Sequence, residues 1–118
     1  MSLSLSTRDF RSWVDKEAQD FVLKLTYKVW NGIITLTPVL TGQARASWNM
    51  SKEKPNYTTV DDGDNLPPPV APKLEFKKGE YPLIFIANGK PYINLLEHGY
   101  SAKAPAGMVQ VTLDSLNL

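Results

Sequence analysis

Residues 17–38 read EAQDFVLKLTYKVWNGIITLTP, and the fold turns on them. Extended upstream, the apolar positions are Phe10, Trp13, Val14, Ala18, Phe21, Val22, Leu25, Val29, Ile33 and Leu36. Every step is one, three or four, the period of an α-helix. Pro38 disfavours helical geometry at Thr37 and ends the run. Upstream, Ser6 followed by Asp9 suits a helix cap in a weakened capping-box arrangement. The pattern predicts a helix over about 7–36, roughly 45 Å long at 1.5 Å per residue.

A second stripe runs along the same helix: Leu23, Tyr27, Trp30 and Ile34. At about 100° per residue it lies nearly opposite the first. Glu17, Asp20, Lys24, Lys28, Asn31 and Thr35 fill one flank, with Asp20 and Lys24 as an i,i+4 pair. One apolar side docks on the chain's own sheet. The other needs a second cover, either a neighbouring subunit or a loop of the same chain. Leu23, Tyr27, Trp30 and Ile34 are therefore the candidate subunit interface, because small proteins seldom leave such patches exposed.

Outward from the helix, Thr37-Pro38-Val39-Leu40-Thr41-Gly42 marks a sharp turn. Gln43–Trp48 is a short helix or the entry to a strand, and Trp48–Ser51 alternates like a strand. Seven of the nine prolines fall within 52–91. Residues 52–80 read as a long proline-rich arm, with Pro67-Pro68-Pro69 favouring extended backbone and short strand pieces expected at Tyr57–Val60 and Leu74–Lys77. Long insertions of this kind tend to be functional or disordered. Tyr81–Ala87 is the clearest strand, and its continuous apolar run calls for cover on both faces. Asn88-Gly89 suits a tight turn. Pro91 fits a helix start, Tyr92–His98 supplies two turns, and Gly99 fits the C-terminal cap. Met108–Leu116 carries both strand and helix periodicity. The fold class is α+β: a long N-terminal helix packed on a small, mainly antiparallel sheet, with a short helix near 91–98 and the long arm.

The length of 118 residues predicts one domain. With 13 basic and 12 acidic residues the formal charge is +1, which argues against electrostatic capture of nucleic acid or anionic membrane. The absence of cysteine excludes disulfides, thiolate metal sites and cysteine nucleophiles. No apolar run reaches the roughly 20 residues of a membrane span. Met1–Ser6 lacks the features of a secretion leader, so a soluble protein inside the cell is expected, and the sequons at Asn49 and Asn56 read as chance.

Candidate chemistry is sparse. Asp61-Asp62-Gly63-Asp64 suggests a calcium loop, but the twelfth position is Pro72 or Lys73 where an acid is required. His98, the only histidine, neighbours Glu97 on a helix, where adjacent side chains diverge. No nucleophile accompanies them. Glu97 suits a structural role, pairing with an arginine or capping a turn, and Arg45 is the first partner to test. No phosphate loop, metal-ligand spacing or Ser-His-Asp set is present. No catalytic, cofactor-binding or metal residue is assigned.

Two segments together carry a resemblance. One is Thr37-Pro38-Val39-Leu40-Thr41-Gly42-Gln43-Ala44-Arg45-Ala46-Ser47-Trp48 after a long helix. The other is Ile86-Ala87-Asn88-Gly89-Lys90-Pro91-Tyr92-Ile93-Asn94-Leu95-Leu96-Glu97-His98-Gly99-Tyr100-Ser101, followed by Ala104-Pro105-Ala106-Gly107-Met108-Val109. The pair resembles the small neck and tail-completion proteins of tailed bacteriophages, also described as tail components. The motif positions here are Pro38, Thr41, Gly42, Arg45, Trp48, Asn88, Pro91, Tyr92, Glu97, Gly99, Pro105 and Gly107. The resemblance implies a non-enzymatic virion protein at the head–tail junction, made in the host cytoplasm. It implies a homo-oligomeric ring that joins the capsid connector to the tail tube. DNA would pass nearby without specific binding, and no membrane or cofactor is involved. The alternative from the residues alone is a small protein-binding or inhibitor module that offers an apolar helix face as a groove.

Overall fold

The computed structural model describes residues 1–6, 16–98 and 107–116. These form an α+β unit with elements β1 (Ser2–Ser6), α1 (Lys16–Leu36), α2 (Gln43–Ala46), β2 (Trp48–Ser51), β3 (Leu83–Asn88), α3 (Ile93–Glu97) and α4 (Met108–Asp114). The sheet is antiparallel, in the order β1-β3-β2.

The first strand departs from expectation. An unexpected strand precedes the helix, and Ser6, expected as the helix cap, pairs with Leu83 at its end. Ser2-Leu3-Ser4-Leu5-Ser6 alternates strictly, as a strand with one face inward should. Residues 7–15, including Asp9, Phe10, Trp13 and Val14, lie outside the described residues, so the expected helix start falls there. The helix is described from Lys16 and ends at Leu36, before Pro38.

Register explains the core. Leu5 stands opposite Ile84, and Ile86 stands between Leu3 and Met50. Alternation puts these side chains, with Trp48, on one face. They join Val22, Val29, Trp30, Ile33 and Ile34 of α1 in one cluster. Ile33, Ile84 and Ile86 are fully buried. Each such side chain contributes roughly 1.5–3 kcal/mol. The other face of β3 carries Leu83, Phe85 and Ala87, half-buried or buried.

The two-way reading of the C-terminal segment resolves as helix. Met108 and Thr112 are buried and share a face, and the Cβ of Thr112 lies 3.2 Å from where a Cβ on Gly32 would stand. Glycine there lets α4 approach α1 closely. α3 is shorter than expected: it begins at Ile93 with Tyr92 at the cap, so Pro91 precedes it. Gly99 and Pro105 lie outside the described residues.

Residues 52–82 contain no helix or strand, so the expected strand pieces at Tyr57–Val60 and Leu74–Lys77 are absent. The segment leaves from β2 and returns into β3, its antiparallel neighbour. It is therefore the loop of a very long hairpin. Lys52 and Glu80 close its neck at 3.0 Å. Glu80 is held below its usual carboxyl pKa, first by the Lys77 backbone N–H and then by Lys52.

Candidate functional site: a cradle for an extended segment

The two motif segments meet. Asn88, fully buried at the end of β3, donates through Nδ2 to the Ala44 carbonyl at 2.8 Å and accepts the Lys90 N–H at 3.0 Å. Trp48, 2 % exposed, donates its indole N–H to Thr37 Oγ1 at 3.0 Å. Thr37 in turn donates to the Ile33 carbonyl at 2.6 Å. A buried indole N–H needs such an acceptor. The turn after α1, the short α2 and the end of the sheet are thus bound into one body.

That body grips the 52–82 segment by its main chain. Asn49 Nδ2 donates to the carbonyls of Asn56 and Thr58, at 3.1 and 2.7 Å. Ser47 Oγ accepts the Val60 N–H at 2.9 Å. Gln43 Nε2 donates to the Gly63 carbonyl at 2.9 Å, and Arg45 Nη2 to the Leu66 carbonyl at 3.0 Å. The Leu66 N–H donates to the Thr41 carbonyl at 3.0 Å. Gly42 is left-handed at φ 90°, and a Cβ there would stand 2.7 Å from the Leu66 carbonyl oxygen. Glycine at Gly42 thus meets two demands at once, the turn conformation and the close approach of the segment. Gly89 is similar in the second respect, since a Cβ on it would run into the Tyr57 carbonyl oxygen.

One contact is ionic. Lys90 is buried, and its Nζ lies 2.7 Å from Asp61 Oδ1, whose side chain is largely exposed. The hydrogen bond from Lys90, then that from Thr59, holds the Asp61 carboxyl below its usual range. Asp61 therefore serves as a partner for a lysine. The Lys90 ammonium also lies 5.9 Å from the centre of the Tyr92 ring, within reach of a cation–π contact.

The returning leg lies along α1 in the opposite direction. Tyr27 Oη donates to the Pro72 carbonyl and accepts the Leu74 N–H, at 2.9 and 3.0 Å. Gln19 Nε2 donates to the carbonyls of Lys77 and Glu80, both at 2.9 Å. Leu74 and Phe76 pack against the core. These contacts bear on Leu23, Tyr27, Trp30 and Ile34, the candidate subunit face. Trp30 is 3 % and Ile34 9 % exposed within the single chain, and Leu23 and Tyr27 are half-buried. The loop of the same chain thus lies against Tyr27 and beside Leu23, while Trp30 and Ile34 belong to the core cluster itself.

A correction concerns Glu97. Its partner is not Arg45. Its carboxylate accepts the N–H groups of Val109 and Gln110, at 2.9 and 3.1 Å. It caps α4, whose own N-cap residue is the left-handed Gly107, with no side chain to do so. An acidic side chain at a helix N-terminus satisfies orphan donors and complements the dipole. His98 is exposed at the end of α3. The Arg45 Nε is buried without a hydrogen-bond partner among the described residues.

Sequence reasoning named Thr41, Gly42 and Arg45 but missed Gln43, Ser47, Asn49, Lys90 and Gln19. A signal was present at three of these: Gln43, Ser47 and Asn49, in line with Arg45, are polar at every second position across a helix-to-strand junction. Among the described residues, no group of three or more His, Asp and Glu stands together to hold a metal ion, and no helix is long and apolar enough to cross a membrane. Comparison of the chain with family models, with curated proteins and with solved structures gives no match.

Proposed function

We propose that this chain is a structural virion protein of a tailed bacteriophage, a neck or tail-completion subunit. It would form a homo-oligomeric ring that joins the capsid connector to the tail tube. The observation that carries the reading is the ordered motif pair, Thr37–Trp48 after a long helix, then Ile86–Ser101 followed by Ala104–Val109. The chemistry of the site supports a binding role. Its polar side chains are spent on holding peptide backbone, in an arrangement suited to protein contacts.

The near-neutral charge fits a subunit that surrounds passing DNA without gripping it. Residues 52–80 are the proline-rich arm of this reading. Because they cover Leu23 and Tyr27, contacts between copies or with neck and tail neighbours would run through the arm, not the bare helix stripe. The alternative is a small protein-binding or inhibitor module that offers an apolar helix face as a groove; beside α1, Leu23, Leu74 and Phe76 line such a groove. On this reading the protein resides at the head–tail junction of the virion and, before assembly, in the host cytoplasm.

Electron microscopy of particles made without this chain tests the proposal. Full heads and finished tails, unjoined, are expected. Normal joined particles would overturn it.

A further inference from the structure

The sheet has two outer strands, and they differ in what lies beside them. β2 runs beneath the 52–82 segment: Asn49 donates to the carbonyls of Asn56 and Thr58, Ser51 donates to the Lys54 carbonyl, and Trp48 and Met50 are buried. At the opposite margin Ser2 and Ser4 of β1 are exposed, while Leu3 and Leu5 pack with the core.

Register shows which backbone groups β1 leaves free. Met1 and Asn88 exchange both of their hydrogen bonds, at 3.4 and 3.1 Å. In an antiparallel ladder such pairs alternate with pairs that exchange none. Leu3–Ile86 and Leu5–Ile84 are therefore the next bonded pairs. The N–H and C=O groups of Ser2, Ser4 and Ser6 point away from β3, and among the described residues no turn or loop bonds them. Lysine, proline or a bulge commonly blunts an open margin of this kind. β1 has no charged residue and no proline, and it pairs residue for residue with β3.

We propose that this margin is a pairing site for a second copy of the chain, in which the β1 strands of two copies lie antiparallel across a two-fold axis at Ser4. Two observations name the occupant. The first is complementarity. Ser2-Leu3-Ser4-Leu5-Ser6 reads the same in either direction. Two-fold pairing sets Ser4 opposite Ser4 and Ser2 opposite Ser6. Each outward N–H, a partial positive charge, then meets an outward C=O, and each facing pair exchanges two bonds. Leu3 falls opposite Leu5 on the core side, where the half-buried Leu3 gains cover. A slip of one residue sets serine against leucine, whose backbone groups are already spent on β3. Only the centred register uses every outward group.

The second observation is the state of the other strands. β3 is interior and β2 lies under the 52–82 segment. Among the described strands, β1 is thus the one whose margin is open to meet another β1. The pair is isologous, so it is a contact besides the head-to-tail one that closes a ring. It goes beyond the neck reading and does not rest on it.

The chain has no cysteine, so a single introduced thiol reports the register. In S4C the two substituted Cα atoms stand about 5.5 Å apart across the axis, within disulfide range. In S2C, at a position that is also exposed, they stand roughly 13 Å or more apart, four residues along the strand. Each full-length variant is oxidised at the same concentration. S4C is expected to form the linked dimer roughly tenfold faster or more, because its thiols are held together and do not have to meet by diffusion. Equal rates, or faster linkage of S2C, would overturn the proposal.

Sedimentation of the unmodified chain over a concentration series should show monomer passing to dimer, and monomer throughout would also overturn it. S4P removes an N–H that β3 does not use, a substitution that edge strands accept. It should keep the circular dichroism of the unmodified chain and lose the dimer. A folded S4P that still dimerises would put the contact elsewhere and count against the pairing. Failure of the pairing leaves the neck reading standing. Joined particles formed without the chain would remove the neck reading and leave the pair.

Discussion

Replacing Gly42 by alanine would test the cradle at its tightest point. Two costs follow from the geometry. The first is backbone strain: at φ 90° an L side chain costs about 1–2 kcal/mol. The second is steric. The new Cβ would stand 2.7 Å from the Leu66 carbonyl oxygen and 3.0 Å from Leu66 Cβ, so the segment must retreat. Retreat lengthens two hydrogen bonds, from the Leu66 N–H to Thr41 and from Arg45 to the Leu66 carbonyl. At about 1 kcal/mol net each, these bring the loss to roughly 3–4 kcal/mol. Gly79 supplies the control. It has a similar φ of 78° with nothing within 4 Å of a Cβ, so G79A carries only the strain of about 1–2 kcal/mol. Urea unfolding of both variants gives the difference. Hydrogen exchange at the Leu66 amide locates it, with protection lost in G42A and kept in G79A. Equal destabilisation by the two variants, with Leu66 still protected, would refute the close approach.

Three further outcomes are expected. E97A removes the acceptor for two α4 N–H groups and should cost about 2 kcal/mol, with amide protection lost at Val109 and Gln110; unchanged protection there would show that α4 is capped otherwise. T37V keeps the shape but strands the Trp48 indole N–H, a loss of about 1–3 kcal/mol, read by unfolding and by faster exchange of that indole proton. The Asp61 carboxyl has a folded pKa below its ordinary value, so the stability it contributes is present above the unfolded carboxyl pKa near 4 and is lost as pH falls through the lower folded value. D61N should therefore flatten that part of the acid-unfolding curve, and a curve of unchanged shape would show that the Lys90 pair is not formed in solution.

Much of the fold was legible where one period dominated. The α1 stripes, the Trp48–Ser51 alternation and the apolar run into Asn88 each admitted a single regular structure. Met108–Leu116 fitted two periods, and only packing of Thr112 against Gly32 separates them. The strand Ser2–Ser6 shows clean alternation, yet its partner lies near residue 85, and no local signal spans that distance. The site was half legible. Thr41, Gly42 and Arg45 stood out as a turn motif, but what they hold is a stretch of main chain, and backbone acceptors leave no trace in side-chain identity. Arg45 and Glu97 looked like a complementary pair by charge. The structure spends one on a carbonyl and the other on two amides, since unsatisfied backbone groups compete with opposite charges for polar side chains.

The strand order has a consequence for the nascent polypeptide. β1 is translated before β2 but pairs with β3, so among the described strands the sheet cannot be completed until β3 has been made. α1 meanwhile has already been released with both greasy sides bare. The stretch that shields one of them, through Tyr27 and Gln19, leaves the ribosome just ahead of β3. The chain thus delivers a wrapper for its stickiest rod before it delivers the strand that completes its sheet, which shortens the interval in which the unfinished protein is prone to clump.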